Sequence, residues 1–159
     1  MINITLVRGL PGSGKTTRAK NLLLKFPDAI HRESDMWFDQ NGAYVFKPSE
    51  LTNAHQWCVS ATEMAIRNNK DVIVSNVFAN VAECAPYFVL KQKYDCVMHL
   101  IACTDAYGSI HGVPPDKIEA MRLRFQCDDM IGITLNRDLS LFYSNPYDAY
   151  HHFLNNPAV

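Results

Sequence analysis

An α/β fold is predicted by three observations on the sequence. A β-branched run at residues 2–7 indicates a buried strand, and a glycine-rich loop follows it directly. Apolar residues then recur at the spacing of one helix face, namely Ala19, Leu22, Leu23 and Phe26. Further strand-like runs alternate with helical segments, as at residues 71–76 and 95–102. This alternation is typical of a parallel sheet covered by helices.

The loop after the first strand matches the phosphate-binding pattern G-x-x-x-x-G-K-[ST]. Its glycines let the backbone curl so that successive N–H groups point at an oxyanion, and the next helix adds its positive N-terminal end. We expect Lys15 to reach the β- and γ-phosphates of ATP and the Thr16 hydroxyl to ligate Mg²⁺. The predicted ATP-binding residues are Gly9, Pro11, Gly12, Ser13, Gly14, Lys15, Thr16 and Thr17.

Asp35 is a candidate catalytic residue because it follows residues 29–32, a candidate second strand. Ligands of open parallel sheets bind beyond the carboxyl ends of the strands. Three roles fit this position: a general base for an attacking hydroxyl, an outer-shell partner of Mg²⁺, or a helix N-cap in a solvated turn. The neighbouring Glu33 and Asp39 are expected to be surface charges.

The clearest interior strand, residues 71–76, ends in Ser75 and Asn76. In many nucleotide-binding folds such a strand ends in an Asp that helps to hold Mg²⁺. Ser75 and Asn76 can hydrogen-bond to water or phosphate, but neither brings negative charge. Asn76 is therefore a candidate substrate contact rather than a metal ligand.

Composition limits the class of protein. A chain of 159 residues with a net charge of −1 suggests one domain without global attraction to nucleic acid. The five cysteines contain no C-x-x-C pair, which argues against a disulfide framework or a zinc site. No basic leader and no apolar run of membrane length is present, so we expect a reducing, cytoplasmic setting without membrane contact.

The rest of the chain predicts further helices. One follows residues 48–50, and another follows Pro114, with Ile118, Met121 and Phe125 spaced for burial. Asn80 and Glu83 resemble a capping box, while Pro86 should kink the next helix or mark a later start. Residues 139–143 are a candidate edge strand, and residues 146–154 a candidate short helix. We expect a core at residues 1–126, with residues 127–159 as a tail packed on the same domain.

Taken together, these motifs resemble the small P-loop kinases related to phage polynucleotide kinase, together with predicted ATP-binding proteins of similar size. The resemblance spans roughly residues 4–125 and rests on ordered motifs at 8–17, 34–38, 41–46, 55–57, 72–76 and 111–119. It implies a P-loop kinase-like three-layer sandwich with a parallel sheet of about five strands and a mobile lid after the fourth. In polynucleotide kinases the Asp that matches Asp35 activates the 5′-hydroxyl, so the resemblance favours Asp35 as the base.

Three positions depart from that family. Its members commonly carry Asp-Thr-Asn after the third strand, where this chain has Asn76, Val77 and Phe78. Phe38 stands near the position of an arginine that binds a 3′-phosphate in polynucleotide kinase. The lid at residues 105–110 carries no cation, although a catalytic arginine is worth ~10³–10⁵ in rate. Arg32, Arg122 and Arg124 are candidate substitutes.

The sequence therefore predicts an ATP-dependent kinase that phosphorylates a hydroxyl of a nucleic-acid 5′-end or a nucleoside-like acceptor. Three alternatives stay open at this point. The first is a catalytically degenerate ATP-binding protein that acts through a partner. The second is a kinase of a small metabolite or a hydroxymethylated base, and the third is an NTPase switch. Lys15 and Asp35 are the predicted catalytic residues, Asp35 and Asn76 the predicted substrate contacts, and Thr16 the predicted metal ligand.

Overall fold

The computed structural model describes residues 1–40, 42–104, 112–136, 138–140 and 142–156. Its regular elements follow one another as β1 (Asn3–Arg8), α1 (Lys15–Lys25), β2 (Ile30–Arg32), β3 (Asp39–Gln40), β4 (Ala43–Tyr44), α2 (Leu51–Arg67), β5 (Val72–Asn76), α3 (Val81–Lys93), β6 (Val97–Ala102), α4 (Pro115–Arg124), α5 (Asp128–Leu135) and α6 (Asp148–Asn155). Short 3₁₀ helices at Ser34–Phe38 and Pro48–Glu50 connect some of these elements.

The predicted α/β fold with a parallel sheet is confirmed. Within the described residues, the central sheet has four strands in the spatial order β2-β5-β1-β6, where about five were expected. All three strand pairings are parallel. The register aligns Arg8 with Asn76 and Arg32 with Val74, so the carboxyl ends of β1, β2 and β5 lie side by side. These three strand ends form the edge that carries the candidate site.

Helices cover both faces of the sheet, which gives three layers. On one face, Ala19 of α1 packs against Val7 and Ile73. On the other face, β1 and β5 contribute Ile4, Leu6, Val72 and Val74 to a larger core that includes residues of α2 and α3. The alternation along β1 and β5 follows from the period of two in a strand, which sends successive side chains to opposite faces.

Helix α3 begins at the predicted cap. Asn80 Oδ1 accepts from the Glu83 N–H at 3.0 Å, and Glu83 Oε2 accepts from the Ala79 N–H at 2.6 Å. Both halves of a capping box are thus present, with the returning bond placed one residue before the cap. Pro86 lies inside α3 and neither ends the helix nor delays its start.

The last part of the chain packs on α3. Six of its apolar residues are buried in the larger core: Ile131, Leu135, Leu139, Tyr147, Ala149 and Phe153. The predicted edge strand at residues 139–143 is wrong, because Leu139 is a core residue and the described residues there form no strand. The apolar positions predicted on α4 are only half-buried. The predicted lid at residues 105–110 lies outside the described residues. No helix in the described part of the chain is long and apolar enough to cross a membrane.

Candidate active site

The loop between β1 and α1 has the geometry of an anion cradle. Gly12 and Gly14 adopt φ values of 80° and 92°, in the left-handed region that glycine enters without steric cost. The Ser13 N–H donates to the Leu10 carbonyl at 3.0 Å, which closes the turn. Because Gly14 precedes α1 and has no side chain, the first N–H groups of that helix are not capped from this position. The loop therefore directs the positive end of α1 toward a bound anion.

Two side chains of the loop, those of Lys15 and Ser13, could bind such an anion. Lys15 Nζ donates to the Leu10 carbonyl at 3.0 Å. Burial lowers the pKa of Lys15, while the nearby carboxylates of Glu33 and Asp35 act in the opposite direction. The Ser13 hydroxyl is buried and meets no hydrogen-bond partner within the described residues. A half-buried cation and an unsatisfied hydroxyl on the same loop fit the phosphates of a nucleotide.

The other predicted loop residues lie around this cradle. The Gly9 N–H donates to the Val77 carbonyl at 3.2 Å, which ties the loop to the segment after β5. Pro11 is half-buried, and Thr17 is exposed in the first turn of α1. Thr16 points instead to the acidic residue that follows β2, because its hydroxyl donates to Glu33 Oε1 at 2.8 Å.

Glu33 is not the surface charge that its sequence position suggested. Its side chain is only 16% exposed, and Oε1 also accepts from the Ser75 hydroxyl at 2.7 Å. His31 Nε2 lies 3.3 Å from the same oxygen. Burial alone would raise the pKa of Glu33, but hydrogen bonds from His31, Ser75 and Thr16 outweigh it and hold the pKa at about 2. An ionised carboxylate therefore lies beside the predicted metal ligand.

The parallel register explains why the sequence did not reveal this contact. β2 pairs with β5 so that Arg32 lies opposite Val74, which places Glu33 next to Ser75. Residues 29–32 are predicted as a candidate strand, and β2 is present there, but its pairing with β5 is not readable from three residues. The available signal was an acid directly after a short extended segment, at the edge where ligands of parallel sheets bind.

Asp35 lies in the first turn of the 3₁₀ helix that follows Glu33. The Tyr44 hydroxyl, presented by the β3–β4 hairpin, donates to Asp35 Oδ1 at 3.3 Å. Burial and the adjacent Asp35 carboxylate raise the pKa of Tyr44 to about 12, so the phenol keeps its proton. The charge of Asp35 also acts to raise the pKa of Lys15 and of His55. The carboxylate therefore lies within electrostatic range of both the loop and α2.

Asn76 holds the segment that carries Asp35. Its Oδ1 accepts from the Ser34 N–H at 2.8 Å, and its Nδ2 lies 3.7 Å from the Cys58 sulfur. The Ser34 hydroxyl lies 3.0 Å from His55 Nδ1. In this structure Asn76 contacts protein groups, and its role toward a substrate stays a prediction.

The three arginines that could replace the missing lid arginine all contact residues close to them in sequence. Arg122 forms a two-pronged ion pair with Glu119 on the exposed side of α4. Arg124 Nε donates to the Ala120 carbonyl at 3.2 Å, and Arg32 Nη1 donates to the His31 carbonyl at 3.0 Å. None of these contacts brings an arginine to the phosphate-binding loop.

A glycine-rich loop at the carboxyl edge of a parallel sheet, with a half-buried lysine and acidic residues beside it, defines a P-loop kinase-like nucleotide-binding fold. The family model described as "AAA domain" matches residues 4–106, and the chain belongs to this family.

Several known proteins are similar to parts of this chain. NEDD4-binding protein 2 of Homo sapiens is 31% identical over 133 residues, which are 77% of this chain but 8% of that protein. The solved APS kinase CysC of Mycobacterium tuberculosis matches with a TM-score of 0.54 and 14% identity, over 77% of this chain and 96% of that one. A structure of the Pnkp1/Rnl/Hen1 complex matches with a TM-score of 0.53 and 15% identity, over 75% and 38%. The chain thus spans only a small part of its curated relative, and the structural likenesses define the fold alone.

Proposed function

We propose that the protein is an ATP-dependent kinase that transfers the γ-phosphoryl group to a hydroxyl of a nucleic-acid 5′-end or a nucleoside-like acceptor. The observation that carries the proposal is the position of Asp35. Its carboxylate lies close enough to act on the charge of Lys15 across the phosphate-binding loop. An acid that faces the γ-phosphate position can take the proton of an attacking hydroxyl.

The loop residues would hold the nucleotide. The backbone N–H groups of Gly12 and Gly14 and the ammonium of Lys15 would bind the phosphates, and the Thr16 hydroxyl oxygen would ligate Mg²⁺. When bound, Mg²⁺ would offset the negative charge that develops on the phosphates. The unsatisfied Ser13 hydroxyl supports this assignment, since a phosphate oxygen would give it an acceptor.

Asp35 would act on the acceptor in a direct, in-line transfer. The acceptor oxygen bonds to the γ-phosphorus as the bond from phosphorus to the bridging oxygen of ADP breaks, and the hydroxyl proton moves to Asp35. Tyr44 donates to Oδ1 and so fixes the orientation of the carboxylate. The tether through Asn76 and Ser34 keeps this segment in place against β5.

Exposed aromatic rings beside Asp35 favour an acceptor that itself carries a ring. Tyr44 and Phe46 are 36% and 49% exposed, and both pack on the buried ring of Phe38, at centroid distances of 6.3 and 5.0 Å. Aromatic faces of this kind stack on nucleobases without selecting among them. Phe38 itself is 4% exposed, so this position supports the pair of rings rather than binding a phosphate.

A second candidate function is a nucleotide-binding protein that does not transfer phosphate and acts through a partner. The observation that favours it is the ion pair of Arg122 with Glu119, which already occupies the guanidinium of one candidate substitute arginine on α4. A kinase of a small metabolite or a hydroxymethylated base uses the same residues with another acceptor. For each version we propose a cytoplasmic setting, since Cys58, Cys84, Cys96 and Cys127 are free thiols.

The test is transfer of label from γ-labelled ATP with Mg²⁺ to 5′-hydroxyl DNA and RNA, nucleosides and hydroxymethylated DNA. We expect Lys15→Ala to abolish MgATP binding and Asp35→Asn to retain it while transfer falls ~10²–10⁴-fold. Asp39→Asn, at an exposed acid nearby, is the matched control and should transfer normally. Normal transfer by Asp35→Asn would exclude Asp35 as the base, and intact ATP binding without transfer would favour the second function.

A further inference from the structure

The acid that a P-loop site uses beside its magnesium ion is missing from the expected strand. In P-loop NTPases the P-loop Ser or Thr and an Asp hold Mg²⁺ together. Here β5 ends in Ser75 and Asn76, whose side chains carry no charge. The half-buried carboxylate that accepts from the Thr16 hydroxyl comes from Glu33, after the neighbouring strand β2.

We propose that Glu33 supplies the carboxylate of the magnesium site and acts as a positioning residue for Thr16. This inference rests on the proposed nucleotide site. The Thr16 hydroxyl donates its single proton to Glu33 Oε1 at 2.8 Å. Its oxygen lone pairs therefore point away from Glu33, which leaves them for a metal ion. Within the described residues the contacts of Glu33 are all made by Oε1, so Oε2 can accept from a water ligand of the ion.

Ser75 holds the Glu33 carboxylate at this edge of the sheet. Its hydroxyl donates to Glu33 Oε1 at 2.7 Å, and His31 Nε2 lies 2.7 Å from Ser75 Oγ. These two side chains fix the carboxylate at the correct edge of the sheet. A carboxylate at position 75 would stand against Glu33, and two like charges in contact disfavour each other. The proposed magnesium site needs one carboxylate, at position 33 or at position 75, and in this chain it is at position 33, after β2.

The first experiment compares the affinity of the full chain for ATP in excess Mg²⁺ and in EDTA, by calorimetry. For wild type we expect tighter binding with Mg²⁺. Glu33→Gln should reduce this magnesium-dependent gain about 10–100-fold, the usual effect of removing an outer-shell partner of a metal ligand. In EDTA the same variant should bind ATP equally well or more tightly, because a negative charge near the phosphates is gone.

Glu63→Gln is the matched control, because Glu63 is also a half-buried, hydrogen-bonded glutamate, 18% exposed, but its partners are Lys93 and Tyr94. It should keep the wild-type gain. A paired exchange, Glu33→Ser with Ser75→Asp, moves the acid to β5 and should recover part of the gain lost in Glu33→Gln. This recovery separates a magnesium role from a merely structural one, since general damage would weaken binding in EDTA as well.

The inference is overturned if Glu33→Gln keeps the full gain, if it weakens binding equally in EDTA, or if wild type shows no gain at all. Absence of phosphoryl transfer in a protein with an intact, Glu33-dependent gain would contradict the proposed kinase function alone. The two proposals can therefore fail independently of each other.

Discussion

Two charges stand at the ends of β1 and β2, the two strands that flank β5, and their partners differ in kind. Arg8 ends β1 and is fully buried, and its guanidinium donates to the backbone carbonyls of Phe78 and Gln126. It also pairs with Asp128 and lies 4.2 Å over the ring of Phe125. Glu33, after β2, instead accepts from side chains: the hydroxyls of Thr16 and Ser75, with His31 nearby.

The nature of the partners separates a structural charge from a functional one. The carbonyls around Arg8 belong to segments that are remote in sequence, and their bonds to the guanidinium hold these segments together. The hydroxyls around Glu33 can keep their bond to the carboxylate while their oxygens meet a ligand. A shifted pKa alone does not identify a functional site, because structural ion-pair networks shift pKa values as well.

The largest effect is expected when Arg8 is replaced by methionine. Arg8→Met leaves the Phe78 and Gln126 carbonyls without their donors and Asp128 without its partner. Loss of one member of such a network costs about 3–5 kcal/mol in the free energy of unfolding. Urea denaturation measures it, with Arg124→Met as the control on an exposed arginine. A loss below about 1 kcal/mol would show that Arg8 does not hold the last helices to the sheet.

A smaller loss is expected for Gln126→Ala, which removes a second connection to the same region. Gln126 Oε1 accepts from the Val81 N–H, at the start of α3, at 2.8 Å. An unsatisfied donor at this part-buried position costs about 1–3 kcal/mol. The backbone bond from Gln126 N to the Ala79 carbonyl is retained in the variant, which limits the effect. Denaturation of Gln126→Ala beside Gln56→Ala, at an exposed position of α2, gives the measure; equal stability of the two would contradict it.

The first three quarters of the fold could be predicted because its signals are local. The β-branched run before Gly9 and the capping pair of Asn80 and Glu83 each determine structure within a few residues. The same holds for the phosphate-binding loop, whose conformation depends on its own glycines. Confirmed elements are therefore those whose sequence signals lie within a few residues of one another.

The parts that sequence reasoning missed depend on contacts between remote segments. Leu139 fits an edge strand by its neighbours, yet the structure buries it against α3 in the core. Glu33 is of a residue type that is usually exposed, yet its side chain is half-buried because β2 pairs with β5. Arg8 is part of the loop motif by position, whereas its partners lie 70 to 120 residues further along the chain. Their positions follow from tertiary packing, which overrides local preference.

The smallest effect is expected for Asp128→Asn, and it tests which partner of Arg8 matters. The Asp128 side chain is 41% exposed, so solvent screens its attraction to Arg8, and the pair should contribute about 1 kcal/mol or less. The variant keeps the bonds from Arg8 to the two buried carbonyls, and Asp129→Asn serves as the control on the adjacent acid. If Asp128→Asn lost as much stability as Arg8→Met, the ion pair rather than the carbonyls would hold Arg8. The distinction from Glu33 would then rest on exposure of the partner, and not on its chemistry.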